Sequence, residues 1–527
     1  MRKRILACFA VVNLVPAAAS PEQVPGGFFQ PVQPPRPVQV VAHRGVTMAA
    51  PENTMPAFVL AHEIGVEWIE CDIRLTKDGH HVLMHDGNVD RTTDGKGPVG
   101  EKTLEEIRQL DAGIKFAPRF AGTRIPTFAE LLAWAKGKIN IYMDCKHIDP
   151  AKLTREVVEA GMERQVVAYD SIDGAIRLRE AGGGRIPLMP DYAKDSPYEE
   201  WLRTCKPAAF EVDVTVLNEG LVKAAREAGV FIQTDALGPF DNVATYRKLI
   251  DRGVNWIQTD RPDQVLAMFY KDAVRGKRRP LLMVHRGVMQ LAPENTLAAI
   301  KKAIDLGMDM VEIDTRATAD GAIVVIHDGT LDRTTDGTGP VAKKTLAEIR
   351  RLSAGRWFGP MYALEKVPTL AEVLELCRGK IRVKIDAKGI NPKRLAEEVR
   401  ASKSPENVIV LETPAYLEQL RRIAPEIPRK TWWRKDEDLD KVLEQAKPEA
   451  VEIDWMRCTA DRVAECHKRG VKVITYSPMV ALPTEAYIAK IRTGVDILQT
   501  DHPLLVMRAV EVAVNCSTDG VRPDRPQ

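Results

Sequence analysis

The chain repeats itself. His43-Arg44-Gly45-Val46 returns as His285-Arg286-Gly287-Val288, 242 positions later. Pro51-Glu52-Asn53-Thr54, Glu70-Cys71-Asp72, His85-Asp86-Gly87, Asp90 to Gly95 and Asp144-Cys145-Lys146 all have counterparts at the same spacing. Further on the offset slips by one: Glu211-Val212-Asp213 matches Glu452-Ile453-Asp454, and Gln258-Thr259-Asp260 matches Gln499-Thr500-Asp501. One short motif can recur by chance, but an ordered set at one offset marks duplication of a whole domain. A unit of about 240 residues is the usual size of a (β/α)8 barrel. The 527 residues exceed one ordinary core and accommodate two such units.

Secondary-structure rhythm supports that reading. In the first copy, short apolar runs (Val38 to Ala42, Trp68 to Ile73, Val82 to Met84, Ile139 to Met143, Val166 to Tyr169, Phe210 to Val212, Phe231 to Thr234, Trp256 to Thr259) alternate with helix-like segments. Strands alternating with helical patterns predict βαβ units and a mainly parallel sheet, so an α/β fold of two tandem TIM barrels. One turn interrupts the alternation. Thr76-Lys77-Asp78-Gly79 reads as a four-residue hairpin loop. That loop pairs Leu75 with His80 and sets His85 opposite Glu70, on one face. Thr318-Ala319-Asp320-Gly321 repeats it.

The ends read differently. Arg2 to Arg4, the apolar stretch Ile5 to Val15 and Ala17-Ala18-Ala19 have the three parts of a signal peptide over residues 1–20, which implies export to the periplasm or outside the cell. The apolar run is too short to span a bilayer, and no transmembrane segment is expected. Residues 21–37, rich in Pro and Gln, are expected to be a flexible leader outside the fold. The first barrel is then 38–272, a basic linker 273–280, the second barrel 281–512, and a tail 513–527. With 28% charged residues and a net charge of +2 there is no basic stripe for nucleic acid, while 45% hydrophobic residues exclude a disordered chain. Eight cysteines in a chain this long are no disulfide framework. Cys71 and Cys145 are expected as buried thiols facing the helices, and pairing of Cys458 with Cys466 stays open.

The chemistry lies in the repeated polar residues. Glu70 and Asp72 lie two apart on a strand and project to one side of it, as do Asp144 and Lys146. Glu312, Asp314, Asp386 and Lys388 repeat the arrangement. Three converging carboxylates suit a hard divalent cation, and they resolve the cost of burying acids on an otherwise apolar strand. His43 and His285 close the first strand of each copy, and His85 and His327 close the His-Asp strand, where the mouth of a barrel lies. Two imidazoles flanking a phosphodiester can divide proton removal from proton delivery. Arg44, Lys146, Arg286 and Lys388 can neutralise a phosphate. The Pro-Glu-Asn-Thr segments read first as helix caps, with Glu52 and Glu294 able to orient the site. Glu211 and Glu452 are candidates to support the ligands from behind. Trp432-Trp433 is the one candidate for an exposed apolar rim.

Together these residues resemble the glycerophosphodiester phosphodiesterase family. The shared run is H-R-G, E-N-T, E-x-D, T-x-D-G, H-D, D-R-T-T-x-G-x-G, a carboxylate-x-Lys strand and a closing T-D-x-P, found twice between Gln39 and about Val512. The resemblance implies a TIM barrel, one Ca²⁺ or Mg²⁺ per barrel, and hydrolysis of a small glycerophosphodiester to glycerol 3-phosphate and an alcohol. By position it makes His43 and His285 the general base and His85 and His327 the general acid. It makes Glu70, Asp72, Asp144, Glu312, Asp314 and Asp386 the metal ligands. The third ligand is Asp where the family more often has Glu, and the late strands Phe231 to Thr234 and Val473 to Tyr476 depart from the commoner Trp-Thr. The competing readings are a related phospholipase (of the sphingomyelinase D or phosphatidylinositol phospholipase C kind) and a chain in which only one barrel is catalytic. Oligomeric state is left open.

Overall fold

A computed structural model of the chain describes residues 27–193, 196–435 and 437–515. The expected signal peptide and residues 516–527 lie outside the described residues. Nine strands build the first half: β1 (Gln39–Ala42), β2 (Trp68–Leu75), β3 (His81–Leu83), β4 (Asn140–His147), β5 (Val166–Asp170), β6 (Leu188–Tyr192), β7 (Ala209–Val212), β8 (Phe231–Asp235) and β9 (Trp256–Thr259). All but β3 run parallel in the order β1-β9-β8-β7-β6-β5-β4-β2, and β1 pairs again with β2. The sheet therefore closes into an eight-stranded barrel, and β3 hangs antiparallel on the outer end of β2.

The second half repeats this with β10 (Leu281–Val284), β11 (Met310–Ala317), β12 (Ile323–Val325), β13 (Arg382–Ala387), β14 (Val408–Leu411), β15 (Arg429–Trp432), β16 (Ala450–Asp454), β17 (Lys472–Tyr476) and β18 (Ile497–Thr500). Closure is again through β10–β11, with β12 as the antiparallel appendage. The two barrels expected from the duplication are present. Strand β6 and its counterpart β15 are the ones that apolar runs do not announce. Pro190 and Asp191 interrupt the first, and the second reads Arg-Lys-Thr-Trp.

The hairpin register differs from the expected one. Leu75 pairs with His81, Arg74 with Val82 and Ile73 with Leu83, so the loop has five residues and every partner moves by one. The extra residue is absorbed by Gly79 at φ +77°, whose N–H donates to Thr76 O, while Thr76 N–H donates to His80 O at 2.9 Å. Sheet pairing ends at Leu83, so His85 is not set opposite Glu70. The second copy shows the same shift, with Ala317 paired to Ile323.

Strand alternation sends one set of side chains into each barrel and the other under the helices. Val41, Trp68, Tyr142, Val167, Met189, Ala209 and Trp256 fill the first interior. Cys71, Ile73, Met143 and Cys145 pack outward against the helices, and both thiols are buried and free. Cys458 and Cys466 are likewise free and buried, so they do not pair.

The leader is not outside the fold. Phe28 sits edge-on to Trp68 and Trp256, 5.2 and 5.3 Å between ring centroids, and closes the base of the first barrel. Arg36 is buried in an ion pair with Glu67. A Pro/Gln-rich composition masked these two anchoring side chains. Helices Pro262–Val274 and Pro503–Asn515, which end two and three residues past the sequence-read limits of 272 and 512, pack against one another and join the halves. The Trp432-Trp433 pair forms no exposed rim. Trp433 is buried against Leu439 and Val451, and Trp432 is half-buried beside Lys430 and Arg434. Among the described residues no helix is long and apolar enough to cross a membrane.

Candidate active sites

The first mouth is built where β1, β2 and β4 end. Asp72 and Asp144 are directly paired across β2 and β4, with Glu70 one inward-facing step below. One oxygen from each of these three lies within 4.8 Å of the others, and the same holds for Glu312, Asp314 and Asp386. Burial pushes the Glu70 carboxyl well above its usual range, and Asp72 and Asp144 add to the shift. Burial likewise raises Asp144 to about 6. Glu312 and Asp386 are raised for the same primary reason. Buried hard-oxygen donors crowded together in this way fit a divalent cation, which would compensate the charge that burial penalises.

The turn after β1 holds the cluster in place. Arg44 adopts φ +53° and its backbone N–H donates to Glu70 Oε2 at 2.8 Å. Gly45 follows at φ +85°, and a Cβ there would lie 2.6 Å from Ala57 Cβ, so only glycine lets the first helix approach. Asn53, at φ +56°, donates from Nδ2 to Asp72 Oδ2 at 2.7 Å and accepts from Asp72 N–H at 3.1 Å. Asn295 makes the same two bonds to Asp314, at 2.9 and 3.1 Å. The Pro-Glu-Asn-Thr segment is thus more than a cap. Its Asn clamps the central carboxylate, and Thr54 donates to Pro51 O instead of capping the helix.

Cations crowd the same carboxylates. Lys146 Nζ lies 2.6 Å from Asp144 and 3.5 Å from Asp72, whereas Lys388 favours Asp314 at 2.8 Å over Asp386 at 3.5 Å. Arg44 and Arg286 reach the central Asp at 3.4 and 3.2 Å and Glu52 and Glu294 at 3.2 and 3.1 Å. Burial raises Asp314, but Lys388 and Arg286 outweigh it and hold the carboxyl below its ordinary value.

Each histidine is oriented by a carboxylate on its Nδ1. His43 meets Asp260 and His285 meets Asp501, both at 2.8 Å; His85 meets Asp86 and His327 meets Asp328, both at 2.7 Å. An ionised carboxylate only accepts, so Nδ1 carries the proton and Nε2 is left free for chemistry. In the second barrel His285 Nε2 lies 3.8 Å from Glu312. The His85 backbone is fixed by Arg74, which donates to its carbonyl at 2.6 and 2.9 Å; Arg316 does so for His327 at 2.8 Å. That tether acts together with the ladder bond from Met84 N–H to Asp72 O, 2.9 Å, on the residue before His85.

Arg91 links the two sides. It bonds Glu52 at 2.7 and 2.8 Å and Asp86 at 2.7 and 3.1 Å, and Arg333 repeats all four contacts. Burial raises Glu52, but Arg91 and Arg44 outweigh it and hold the carboxyl low. Asp260, Asp501, Asp86, Asp328, Asn53 and Asn295 were given no role from the sequence. Their recurrence at the repeat offset was the available signal.

The chain also matches known proteins. The sequence profile of the glycerophosphoryl diester phosphodiesterase family aligns with residues 43–264 and again with 285–505. The chain belongs to the glycerophosphoryl diester phosphodiesterase family. A glycerophosphodiester phosphodiesterase of Caldanaerobacter subterraneus subsp. tengcongensis is 35% identical over 243 residues, 44% of this chain and 98% of that protein. One from Bacillus subtilis is 27% identical over 253 residues, covering 44% and 85%. The crystal structure of a glycerophosphodiester phosphodiesterase from Agrobacterium tumefaciens is 32% identical, covers 43% of this chain and 99% of its own, and superposes with a TM-score of 0.41. This phosphodiesterase is a tandem form, one family domain per barrel, with an acidic cluster able to hold a metal in each.

Glu211 and Glu452 occupy equivalent strands but opposite surroundings. Glu211 lies against Asp191 and Asp235, and burial with those acids raises it to about 9. Glu452 is held by Lys430 and Lys384, which outweigh burial and lower it to about 2. Neither bonds a carboxylate of the cluster. Only Glu452 acts on it indirectly, because Lys384 also faces Glu312 and Asp386.

Proposed function

We propose that each barrel hydrolyses glycerophosphodiesters to glycerol 3-phosphate and an alcohol by paired-histidine catalysis. The observation that carries this reading is a three-carboxylate cluster accompanied by two Asp-oriented histidines, present twice with the same partners. Glu70, Asp72 and Asp144, with Glu312, Asp314 and Asp386, would hold one Ca²⁺ or Mg²⁺ per barrel. The ion would supply Lewis-acid polarisation of the phosphate oxygens.

Arg44 and Lys146 draw the phosphate into the mouth and offset charge that builds on its oxygens. His43 Nε2 removes a proton from the attacking water, and Asp260 stabilises the imidazolium that results. His85, carrying protons on both ring nitrogens, delivers the Nε2 proton to the departing alcohol oxygen, with Asp86 accepting from Nδ1–H. Arg286, Lys388, His285 and His327 repeat these roles with Asp501 and Asp328. The signal-like first twenty residues support export, where such a substrate would come from lipid breakdown outside the cytoplasm.

Release of glycerol 3-phosphate from glycerophosphocholine tests the reading. H43A/H285A should lose about 10²–10⁴-fold in turnover, and each single variant should keep the other barrel's share. Chelation should abolish turnover, and Ca²⁺ or Mg²⁺ should restore it and bind the apoprotein in calorimetry at one ion per barrel. Wild-type turnover in H43A/H285A would sink the assignment. Total loss in one single variant would show that only one barrel works.

A further inference from the structure

The second barrel reaches into the first barrel's mouth. A cavity of about 630 Å³, within the usual range for a small-molecule site, opens on His43 and Arg44. Its far wall is Lys302, Pro360, Met361 and Tyr362, all from the second half of the chain. That wall is anchored. The Tyr362 hydroxyl donates to Leu291 O at 2.6 Å. Phe358, just before the turn, lies under the Arg119 guanidinium of the first barrel, 3.6 Å from its ring centroid. Lys302 forms a 2.7 Å ion pair with Asp263 of the first barrel, whose side chain is buried.

The arrangement is not reciprocal. The counterpart turn Pro118–Phe120 spends Arg119 on Ala49 O, at 2.7 Å, and on covering Phe358. The cavity is also mixed in character. Arg44, Glu52 and Asp260 line it with His43, while Met48, Phe116, Pro360 and Met361 supply its apolar lining. Lys302 is paired with Asp263, which leaves Arg261 as the other cation of the lining beside Arg44. Met361 keeps 63% of its surface exposed beside the cavity, an apolar side chain without an intramolecular partner to cover it.

We propose that this cleft is a substrate subsite of the first barrel built by both halves, which accepts an apolar group on the phosphodiester, such as a short acyl chain on the glycerol, with Met361 setting the preference. The inference rests on His43 serving a phosphodiesterase site. Each methylene buried against such a wall is worth about fourfold in affinity.

The test uses the full chain with the second site silenced by H285A/H327A, so that only the first barrel turns over. Substrates are glycerophosphocholine and its hexanoyl monoester below micelle concentration. The parent should show the lower KM for the acylated compound. M361S should raise that KM about tenfold, leave kcat and the KM for glycerophosphocholine unchanged, and be rescued by M361L. In an H43A/H85A background, where only the second barrel works, M361S should change nothing. Equal KM values for the two substrates in the parent, or an equal shift of both in M361S, overturns the subsite. So does a preference for phospholipid vesicles over the monomeric ester, which would make the wall a membrane contact. Hydrolysis of neither compound by the parent would instead remove the phosphodiesterase reading on which the subsite depends.

Discussion

The two barrels share every residue of the reaction centre and differ in the other half of the mouth. Around the ends of β1 to β4 the second barrel repeats the first residue for residue, including the Asn clamp and the four-bond Arg bridge, with only small differences in which carboxylate each lysine favours. Around β5 to β8 the copies diverge. The first interior is aromatic, with Tyr142 and Tyr169 beside the acids Asp191, Glu211 and Asp235. In the second, the positions of Tyr142 and Met189 hold Lys384 and Lys430, both buried, and those of Asp191 and Asp235 hold Trp432 and Tyr476. The one-residue slip in the repeat falls between β5 and β6. The carboxylate and histidine side of each mouth is kept, while the opposite side changes its charge.

The sharpest test of that contrast is a matched pair of isosteric substitutions. Glu452→Gln removes the carboxylate that Lys384 and Lys430 share, leaves buried Lys430 without its ion-pair partner, and should cost about 3–5 kcal/mol in the second barrel. Glu211→Gln replaces a carboxyl that is already protonated at neutral pH, and should cost less than about 1 kcal/mol. Calorimetric unfolding at pH 7 distinguishes them, and comparable losses would break the comparison. The pH dependences should also run oppositely. Glu211 holds its proton up to about 9 when folded but releases it near 4.5 when unfolded. The folded state then binds more protons across that window, so this group makes stability fall as pH rises from about 4.5 to 9. Glu452 titrates near 2 folded, so its contribution is present above about 4.5 and is lost as pH falls towards 2. The melting-temperature gap between Glu211→Gln and wild type should therefore move in favour of the variant between pH 6 and pH 9.

Duplication, barrel architecture and the carboxylate clusters were legible because they ride on short motifs whose recurrence needs no structure to see. The parts that escaped have physical reasons. Strands β6 and β15 carry Asp191 and Arg429-Lys430, since a barrel mouth and a buried ion network need polar residues where a core strand would be apolar. The hairpin register failed by one because a glycine in the left-handed region absorbs an extra loop residue without changing the loop's composition. Asn53 reads as a cap from its neighbours, and only the fold reveals that its φ of +56° turns its amide towards Asp72. Phe28 is one of two adjacent phenylalanines in a Pro/Gln-rich leader, and nothing in its surroundings shows that the barrel base needs a plug.

A smaller difference concerns how the first histidine is held. Tyr476 donates to Asp501 Oδ2 at 2.6 Å and lies 3.1 Å from His285 Nδ1, whereas the equivalent position in the first barrel is Asp235. Tyr476→Phe, assayed in the H43A/H85A background, should lower turnover about tenfold. That is the lower end of what one hydrogen bond to a charged group is worth. The acidic limb of the pH–rate profile should move as well, because Asp501 loses a donor and stabilises the imidazolium more strongly. A loss without movement of the profile would mean that Tyr476 only fills space.

The smallest expected effect is ionic. Asp260 is 45% exposed and Asp501 only 6%, although each makes the same 2.8 Å contact with its histidine. Raising salt from about 0.1 M to about 1 M shortens the screening length from about 10 Å to about 3 Å. An exposed pair is worth at most about 1 kcal/mol and is the kind that screening weakens, whereas a buried pair keeps its field. At saturating substrate the first barrel, read in H285A/H327A, should therefore lose about two- to threefold in kcat over this range. The second, read in H43A/H85A, should hold constant. Reading kcat at saturation removes the salt dependence of binding an anionic substrate, which both barrels share. Equal sensitivity would place the screened step at the phosphate-binding cations and leave the unequal burial of the two aspartates without a catalytic consequence.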